Sequence, residues 1–230
     1  MKIMSFNTQH CVNYIEQRVD YDIMAKAIMD CGADIVGLNE MYDEGSIFGR
    51  QTEKLSQLTG LENHYFGYAI DIPGEGPYGN GFLSRYKILN AETILIPDPS
   101  PRKYKGYYET RCILKIKLEN GLTVMVVHFG LNPDEHENAV RTIVENLEPK
   151  KCVLMGDFNV EPSNPVLKPI YEKMCDTEHL YPCPRKSWPS DKPKMKIDYI
   201  FTTPDIEQVS ADIPELIASD HRPHLAEIKF

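Results

Sequence analysis

Four short apolar runs, spread over the whole chain, each end on polar groups that can bind a metal ion or a phosphate, and a fifth group of this kind lies near the end of the chain. These groups are Asn7, Glu40, the Asp157–Asn159 segment, Asp198 and the pair Asp220–His221. Short apolar runs bounded by polar residues are typical of buried strands. If these strands share one core, their polar ends collect along one edge of it. We therefore expect the five groups to form a single active site.

The size and charge of the chain bound what it can bind. With 230 residues, of which 42% are hydrophobic, the chain can bury a sizeable core, and we expect one domain over residues 1–230. The 25 basic and 34 acidic residues give a net charge of −9. Such a chain lacks the broad basic surface of nucleic-acid-binding proteins and is repelled by anionic membranes. A metal ion and a few cations can still bind a phosphate locally, so nucleic acid is disfavoured but not excluded.

The cysteines and the N-terminus indicate the compartment. None of the six cysteines forms a Cys-x-x-Cys pair, and Cys112 and Cys152 lie in apolar runs. This usage favours reduced, buried thiols over a zinc cluster. The start of the chain is too short and too quickly polar for a signal peptide, and no apolar run approaches the roughly 18 residues of a membrane-spanning helix. We expect a monomeric cytoplasmic protein without a membrane span.

The predicted elements mix hairpins with strand–helix–strand units. Helices are predicted over 21–31, 47–58, 134–147 and, as a short element, around 165–174. Strands are predicted over 2–6, 33–38, 64–70, 80–84, 88–96, 110–118, 122–129, 151–155, 196–201 and 225–230. Asp20 is a candidate N-cap for the first helix, and Gly32 is its expected stop. Asn120–Gly121 is the expected turn of a hairpin formed by strands 110–118 and 122–129. This order predicts two packed sheets covered on the outside by helices.

The segment Gly156-Asp157-Phe158-Asn159 follows a buried apolar run. The spacing of two residues directs Asp157 and Asn159 to one side of an extended segment. One side chain can accept a proton from water while the other donates its amide to an oxyanion. The alternative is an Asx turn, which this pattern also forms.

Asp198 lies in the apolar segment Lys196–Phe201 and Glu40 follows the run Ile35–Leu38. A carboxylate inside an apolar strand is costly unless it is paired. His221 is the natural partner, since a carboxylate behind an imidazole fixes its tautomer and raises its basicity; the alternative is an edge strand with Asp198 facing water. Glu40 is read as a hard-oxygen ligand for Mg²⁺ or Mn²⁺, against the alternative of a solvated charge.

Further candidates are weaker. His128 ends an apolar run and can donate to a phosphoryl oxygen, although a lone histidine there is more often structural. Arg111 and Arg85 lie near strand ends and either can bind phosphate, with surface ion pairing as the alternative. The lysine-rich loop around Trp188 is read as a surface loop rather than as a substrate contact. His224 forms a weak His-x-x-His pattern with His221 and is read as structural.

With these residues assembled, the chain resembles the endonuclease/exonuclease/phosphatase superfamily, which includes deoxyribonuclease I and exonuclease III. Seven short motifs carry the resemblance, in the family's order and over nearly the whole length. They are Met4-Ser5-Phe6-Asn7, Val36-Gly37-Leu38-Asn39-Glu40, Gly79-Asn80-Gly81-Phe82-Leu83-Ser84-Arg85, Val126-Val127-His128-Phe129, Gly156-Asp157-Phe158-Asn159, Ile197-Asp198-Tyr199-Ile200 and Ser219-Asp220-His221-Arg222-Pro223. The loop Trp188–Pro193 before Lys196 is most similar to the small bacterial metal-dependent hydrolases of this superfamily.

The resemblance implies an α+β fold, a four-layer α/β/β/α sandwich with two mixed sheets, and metal-dependent hydrolysis of a phosphodiester or phosphomonoester. The implied metal residues are Asn7, Glu40 and Asp220, with Mg²⁺ or Mn²⁺ as the ion. The implied catalytic residues are His128, Asp157, Asn159, Asp198 and His221. Asn80 and Arg111 are assigned to substrate binding. Whether Asp157 or His221 activates water stays open.

The substrate class is the least determined part of the prediction. The chain is short for the family, and proline-rich loops stand where a nuclease carries basic DNA-contacting segments. The expected substrate is therefore a small or lipid-like phosphate ester. A nuclease acting on abasic or other DNA is the alternative within the enzyme class, and a non-catalytic binding module is the alternative outside it.

Overall fold

The fold consists of two six-stranded sheets flanked by helices, and the computed structural model describes residues 1–230. The strands are β1 Lys2–Asn7, β2 Val12–Asn13, β3 Arg18–Val19, β4 Ile35–Tyr42, β5 Asn63–Ile72, β6 Gly76–Ser84, β7 Ile88–Leu95, β8 Cys112–Leu118, β9 Thr123–His128, β10 Cys152–Asp157, β11 Cys175–Asp176, β12 Asp198–Thr202, β13 Glu207–Asp212 and β14 His224–Lys229. The helices are α1 Tyr21–Cys31, α2 Gln51–Thr59, α3 Pro133–Asn146 and α4 Lys168–Tyr171, with 3-10 turns at Gln9–Cys11, Pro165–Leu167 and Thr177–Leu180.

Each sheet has a parallel pair of strands among antiparallel neighbours. The first sheet has the order β13-β14-β1-β4-β6-β5, and the second has the order β11-β12-β10-β9-β8-β7. β1 is parallel to β4, and β9 is parallel to β10. Parallel strands end at the same edge of a sheet, and a hydrogen bond from Asn7 at the end of β1 to Asp157 at the end of β10 brings these edges of the two sheets together.

Three apolar clusters define four layers. The cluster between the sheets contains Ile35, Phe82, Val126 and Ile200, all fully buried. A second cluster packs α1 and α2 against the outer face of the first sheet. The third packs α3 and α4 against the outer face of the second sheet. The predicted α/β/β/α sandwich is therefore confirmed.

Local sequence signals explain the best-predicted helices. The Asp20 side chain accepts a hydrogen bond from the Ile23 amide at 3.2 Å, and Gly32 ends α1 with a φ of 64°, which favours glycine. At the start of α3, Asn132 and Glu135 form a capping box, with a proline in the first turn. Such caps stabilise a helix by about 1 kcal/mol each.

Some boundaries differ from the prediction. α2 begins at Gln51 rather than at residue 47, because the preceding residues form turns. β4 continues beyond Leu38 to Tyr42 through a bulge, because buried Met41 and Tyr42 follow the polar pair that was read as the strand end. β13 was not predicted, since its sequence is mostly polar and half-exposed. All six cysteines are free thiols, four of them buried. No helix has the length and apolar character needed to cross a membrane.

Candidate active site

The polar strand ends surround a cleft of about 590 Å³. Seven of the residues predicted from the sequence line this cleft: Glu40, Arg111, His128, Asp157, Asn159, Asp220 and His221. Three more, Asn7, Asn80 and Asp198, are buried at 2% exposure or less and are absent from its wall. The strand ends thus converge on one site, as the sequence predicts.

Asp157 lies at the centre of the site. Gly156 before it has a φ of 148°, and a β-carbon there would lie 1.8 Å from the Val127 carbonyl oxygen, so only glycine permits this approach to β9. Asp157 Oδ2 accepts a hydrogen bond from Asn7 Nδ2 at 3.1 Å, and Oδ1 accepts one from the Asn159 amide at 2.9 Å. Burial raises the pKa of Asp157 to about 7.

His221 is held from behind by Asp198. Its Nδ1 donates to Asp198 Oδ2 at 2.8 Å, so the other nitrogen, Nε2, faces Asp157 Oδ2 at 3.6 Å. Burial alone lowers the pKa of His221, but the charges of Asp198 and Asp157 outweigh burial and raise it to about 10. The imidazole is therefore poised as a cation whose remaining N–H points toward Asp157.

His128 differs from His221 in that its Nδ1 accepts a hydrogen bond instead of donating one. Arg111 can only donate, so its contact of 3.0 Å with His128 Nδ1 makes that nitrogen the acceptor. The proton of the neutral ring then lies on Nε2, which is 3.5 Å from Asp157 Oδ2. Burial, together with the Arg111 charge, lowers the pKa of His128 well below its usual range. His128 is therefore a neutral hydrogen-bond donor to the cleft.

Asn159 provides a second donor beside His128. Its backbone has a φ of 51°, and its Nδ2 donates to the Phe129 carbonyl at 3.0 Å. The same nitrogen lies 3.3 Å from His128 Nε2. Because both atoms carry protons in this tautomer, they do not satisfy each other. A single anionic oxygen in the cleft can accept from both.

Arg111 is the buried cation of the site. Its guanidinium contacts Glu109 Oε1 at 2.6 Å, with only 10% of the side chain exposed. It also donates to the Tyr78 hydroxyl at 3.3 Å. A buried, multiply held guanidinium presents a fixed positive charge, as phosphate recognition requires.

Glu40 and Asp220 supply hard oxygen atoms to the same cleft. Glu40 has a φ of 60°, and its Oε1 accepts from Asn7 Nδ2 at 3.0 Å. Asp220 Oδ2 accepts from the indole nitrogen of Trp188 at 3.3 Å. Burial raises the pKa of Asp220, and the charge of Glu40 adds to the effect. Two carboxylates that line the same cleft are a donor set that fits a divalent cation.

A second compact group consists of Asp157, Asp198 and His221, whose ligand atoms lie within 4.8 Å of one another. The His221 Nδ1 proton and Asp198 Oδ2 are already paired with each other. This group is thus a hydrogen-bonded array.

Three other sequence readings change in the structure. Asn80, predicted to bind substrate, instead donates to the Cys112 carbonyl at 3.0 Å and accepts from Asn39 at 2.8 Å, so it supports the site from beneath. Arg85 pairs with Asp34 at 3.2 Å, at the opposite edge, because β6 runs antiparallel to β4. Trp188, read as part of a surface loop, lines the cleft.

Two site residues were not identified from the sequence. Asn39 is fully buried and accepts from the Asp157 amide at 2.9 Å, tying the two sheets together; a buried amide just before Glu40 was the available signal. His10 lines the cleft from a turn in which Gln9, His10 and Cys11 all have positive φ. Each such residue costs on the order of 1 kcal/mol, and no glycine marks the turn.

An acidic and aromatic wall faces the catalytic residues. It contains Glu75, Glu109, Tyr42, Tyr78 and Tyr107. The Tyr42 hydroxyl donates to Glu75 Oε2, and the Tyr107 hydroxyl donates to Glu109 Oε2 at 3.0 Å. Arg111 is the one arginine that lines the cleft, and no lysine does. Besides the His221 imidazolium, the cleft therefore offers one further fixed cation, the Arg111 guanidinium.

Comparisons with known proteins agree with this geometry. The sequence model of the Endonuclease/Exonuclease/phosphatase family matches residues 4–221. A search of curated proteins finds no significant match. Among solved structures, an endonuclease/exonuclease/phosphatase from Beutenbergia cavernae is 21% identical, with a TM-score of 0.77 over 100% of this chain and 71% of that chain.

Two further structures share the fold. An endonuclease/exonuclease/phosphatase from Bacteroides vulgatus is 23% identical, with a TM-score of 0.73 over 100% of this chain and 98% of that chain. A mannosyl-6-phosphatase from Bacteroides thetaiotaomicron is 15% identical, with a TM-score of 0.77 over 100% of both chains. Since the family model matches nearly the whole sequence, the chain belongs to the endonuclease/exonuclease/phosphatase family and is a metal-dependent hydrolase of phosphate ester bonds.

Proposed function

We propose that this enzyme hydrolyses a small phosphodiester or phosphomonoester, with Asp157 at the centre of the chemistry. The observation that carries the proposal is the setting of the Asp157 carboxylate. Its Oδ2 lies 3.5 Å from His128 Nε2 and 3.6 Å from His221 Nε2, and Asn7 links it to Glu40. A water molecule and a phosphate placed in this cleft would lie next to a base (Asp157), a cation (His221) and neutral hydrogen-bond donors (His128 and Asn159).

Asp157 is the proposed proton acceptor. Burial raises its pKa to about 7, close to the operating pH at which general bases are most effective. Asn7 and the Asn159 amide fix the orientation of the carboxylate. It can therefore take a proton from an attacking water without a reorganisation of its neighbours.

The remaining residues hold the phosphate and its developing charge. His221, kept cationic by Asp198, is proposed to contact the phosphoryl group and to pass a proton to the leaving oxygen. His128 Nε2 and Asn159 Nδ2, 3.3 Å apart, are proposed to donate to one equatorial oxygen. Arg111 fixes the His128 tautomer and adds positive charge. Preorganised donors of this kind each contribute about 10²–10³ in rate.

Glu40 and Asp220 are the proposed ligands of a divalent cation, Mg²⁺ or Mn²⁺, with Asn7 beside them. When bound, such an ion polarises the phosphoryl oxygen and neutralises charge on the leaving oxygen. Trp188 fixes Asp220 and Asn7 fixes Glu40, so both carboxylates are oriented before any ion arrives. The assignment of Asn7 as a direct ligand stays a prediction, because its Oδ1, the atom that would bind an ion, accepts a hydrogen bond from the Gln9 backbone amide at 3.0 Å.

The charge of the cleft favours a small substrate over nucleic acid. The wall of Glu75 and Glu109 faces the reacting groups, and only Arg111 among the arginines and lysines lines the cleft. A nucleic acid would place flanking phosphates near these carboxylates, which repel them. A sugar or other polyol can instead donate hydroxyl groups to them. A solved structure of the same fold that is described as a mannosyl-6-phosphatase supports a sugar phosphate as a candidate substrate.

The test is a panel of phosphate esters assayed with Mg²⁺, Mn²⁺ and a chelator. The panel contains bis-aryl phosphates, sugar phosphates, inositol phosphates, sphingomyelin, single-stranded DNA and abasic DNA. We expect metal-dependent hydrolysis of at least one small ester and loss of that hydrolysis in Asp157→Asn. A preference for DNA that falls steeply with salt would instead assign a nuclease.

We also propose that residues 1–230 act as one domain and as a monomer. β1 near the start of the chain pairs with β14 near its end, so the first sheet cannot form without both termini. Sedimentation of the purified protein at several concentrations tests this assignment, since a monomer keeps one mass of 26.3 kDa.

A further inference from the structure

His10 is a cleft residue whose ring is fixed on several sides. Its centroid lies 5.1 Å from that of Tyr42, 6.2 Å from Phe48 and 5.7 Å from Tyr78. The side chain keeps 29% of its surface exposed, and this residue lines the same cleft as Glu40. The ring is thus held by aromatic packing, while part of it faces the site.

The contacts of His10 determine which nitrogen is free. Its Nδ1 lies 3.3 Å from the backbone carbonyl oxygen of Glu40. A carbonyl oxygen can only accept, so Nδ1 carries the proton and donates it. In the neutral ring, Nε2 then has a lone pair, and it lies 3.5 Å from Glu40 Oε2. The unprotonated nitrogen of His10 and a carboxylate oxygen of Glu40, both of which can bind a metal ion, therefore lie side by side.

The backbone on both sides of this contact is strained. Gln9, His10 and Cys11 have φ values of 47°, 57° and 61°, and Glu40 has a φ of 60°. None of these residues is glycine, and the left-handed region is unfavourable for all of them. Two strained segments that meet through the side chains of His10 and Glu40 indicate a functional constraint on that pair.

We propose that His10 Nε2 and Glu40 together bind the divalent cation of the site, so that one ligand of the ion is an imidazole nitrogen. The Nδ1–H bond to a backbone carbonyl is the usual support of a ligating histidine, since it fixes the tautomer and the ring orientation. The inference rests on the proposed metal site, which by itself requires only oxygen ligands.

A nitrogen ligand has a measurable consequence for metal choice. Imidazole favours transition-metal ions, whereas carboxylates alone suit Mg²⁺. The enzyme should therefore bind Mn²⁺ more tightly than Mg²⁺, and His10 should account for much of the difference. In His10→Asn, the amide can still donate to the Glu40 carbonyl, but no atom replaces Nε2. We expect Mn²⁺ affinity to fall by about tenfold or more and Mg²⁺ affinity to change by less than about threefold.

The direct test is pulsed electron paramagnetic resonance of the full chain loaded with one equivalent of Mn²⁺. We expect nitrogen coupling from a directly bound imidazole in the wild type, and a changed pattern when the histidines carry ¹⁵N. The coupling should persist in His128→Gln and in His221→Gln and should disappear in His10→Asn. The first two variants keep the test informative even where His10→Asn does not fold.

Two results would overturn the inference, and they are distinct. Stoichiometric Mn²⁺ binding without histidine nitrogen coupling, or coupling that is lost in His128→Gln or His221→Gln, would exclude His10 while leaving the proposed metal function intact. Absence of any Mn²⁺ and Mg²⁺ binding by calorimetry would remove the metal site itself, and the role of His10 with it.

Discussion

His221 Nδ1 lies 2.8 Å from Asp198 Oδ2, and the Asp198 side chain has no exposed surface. The second oxygen, Asp198 Oδ1, is buried and has no hydrogen-bond partner. A buried carboxylate with one unsatisfied oxygen is costly unless it holds a positive charge. Asp198 is the first residue of β12. The formation of this strand therefore positions the carboxylate that keeps His221 cationic.

Replacing Asp198 tests whether this pair orients the imidazole for catalysis. In Asp198→Asn the side chain has nearly the same shape but no longer carries the charge that stabilises imidazolium. We expect kcat to fall by on the order of 10³–10⁴-fold, as for other carboxylate–histidine pairs. Metal affinity should stay within about threefold of the wild type. Unchanged kcat on the preferred ester would show that His221 does not depend on Asp198.

Asp157→Asn tests the proposed proton acceptor. The amide keeps the volume of the side chain but cannot take a proton from water, so we expect kcat to fall by about 10³-fold or more. KM should change far less, because Arg111 and the metal ligands are untouched. Single-turnover kinetics on the preferred small ester measure the chemical step directly. Near wild-type rates would move the role of base to His221.

Trp188→Phe tests the support of Asp220. The phenyl ring retains most of the apolar surface but loses the N–H that donates to Asp220 Oδ2. Loss of such a supporting hydrogen bond typically weakens metal affinity by about 10–100-fold, and we expect the lower end because this contact is 3.3 Å long. Calorimetry with Mn²⁺ gives the affinity. Tyr14→Phe, which removes an exposed hydrogen bond to Asp191, is the matched control and should have no effect.

His224 provides a pH-dependent contribution to stability. Burial and the nearby charge of Lys196 lower the pKa of His224 well below its usual range, while Tyr181 contacts its Nε2 at 2.9 Å. The unfolded chain binds a proton here at a pH near 6.5, and the folded chain does not. The contribution is therefore complete above that pH and is lost as the pH falls, with a slope of up to about 1.4 kcal/mol per pH unit.

The measurement compares urea unfolding of the wild type and of His224→Asn between pH 7.5 and pH 5. Taking the difference between the two proteins cancels the opposing contributions of His221 and Asp157, whose pKa values are raised. We expect the stability advantage of the wild type to shrink as the pH falls. An advantage that stays constant or grows toward low pH would contradict a neutral, buried His224.

Short-range signals predicted most of the fold. The Asp20 cap, the stop at Gly32 and the turn at Asn120–Gly121 each act within a few residues, and all three elements formed where expected. The convergence of Asp157, Asp198 and His221 followed from strands that share one edge. Contacts between residues that are far apart in sequence were harder to predict. Asn80 belongs to a motif at the edge of the cleft, yet its side chain accepts a hydrogen bond from Asn39 beneath the site.

His10 shows why part of the site was not predicted. A turn of three residues with left-handed backbone conformation and no glycine has no local sequence signal. It is stable only when tertiary contacts offset its conformational strain. Those contacts come from Tyr42 and Tyr78, which are far away in sequence. The sequence does predict Glu40 as a site residue, but its position beside His10 depends on a bulge in β4, which the apolar run before it does not reveal.

The most direct test of the proposed function is a competition assay in one solution. A small phosphate ester that the enzyme hydrolyses is mixed with duplex or single-stranded DNA, and both products are measured at low and physiological salt with the preferred metal ion. The ratio of the two kcat/KM values is the specificity. We predict hydrolysis of the small ester that DNA does not inhibit and that salt changes little. Cleavage of DNA that competitively inhibits ester hydrolysis, and that weakens steeply with salt, would contradict the proposal.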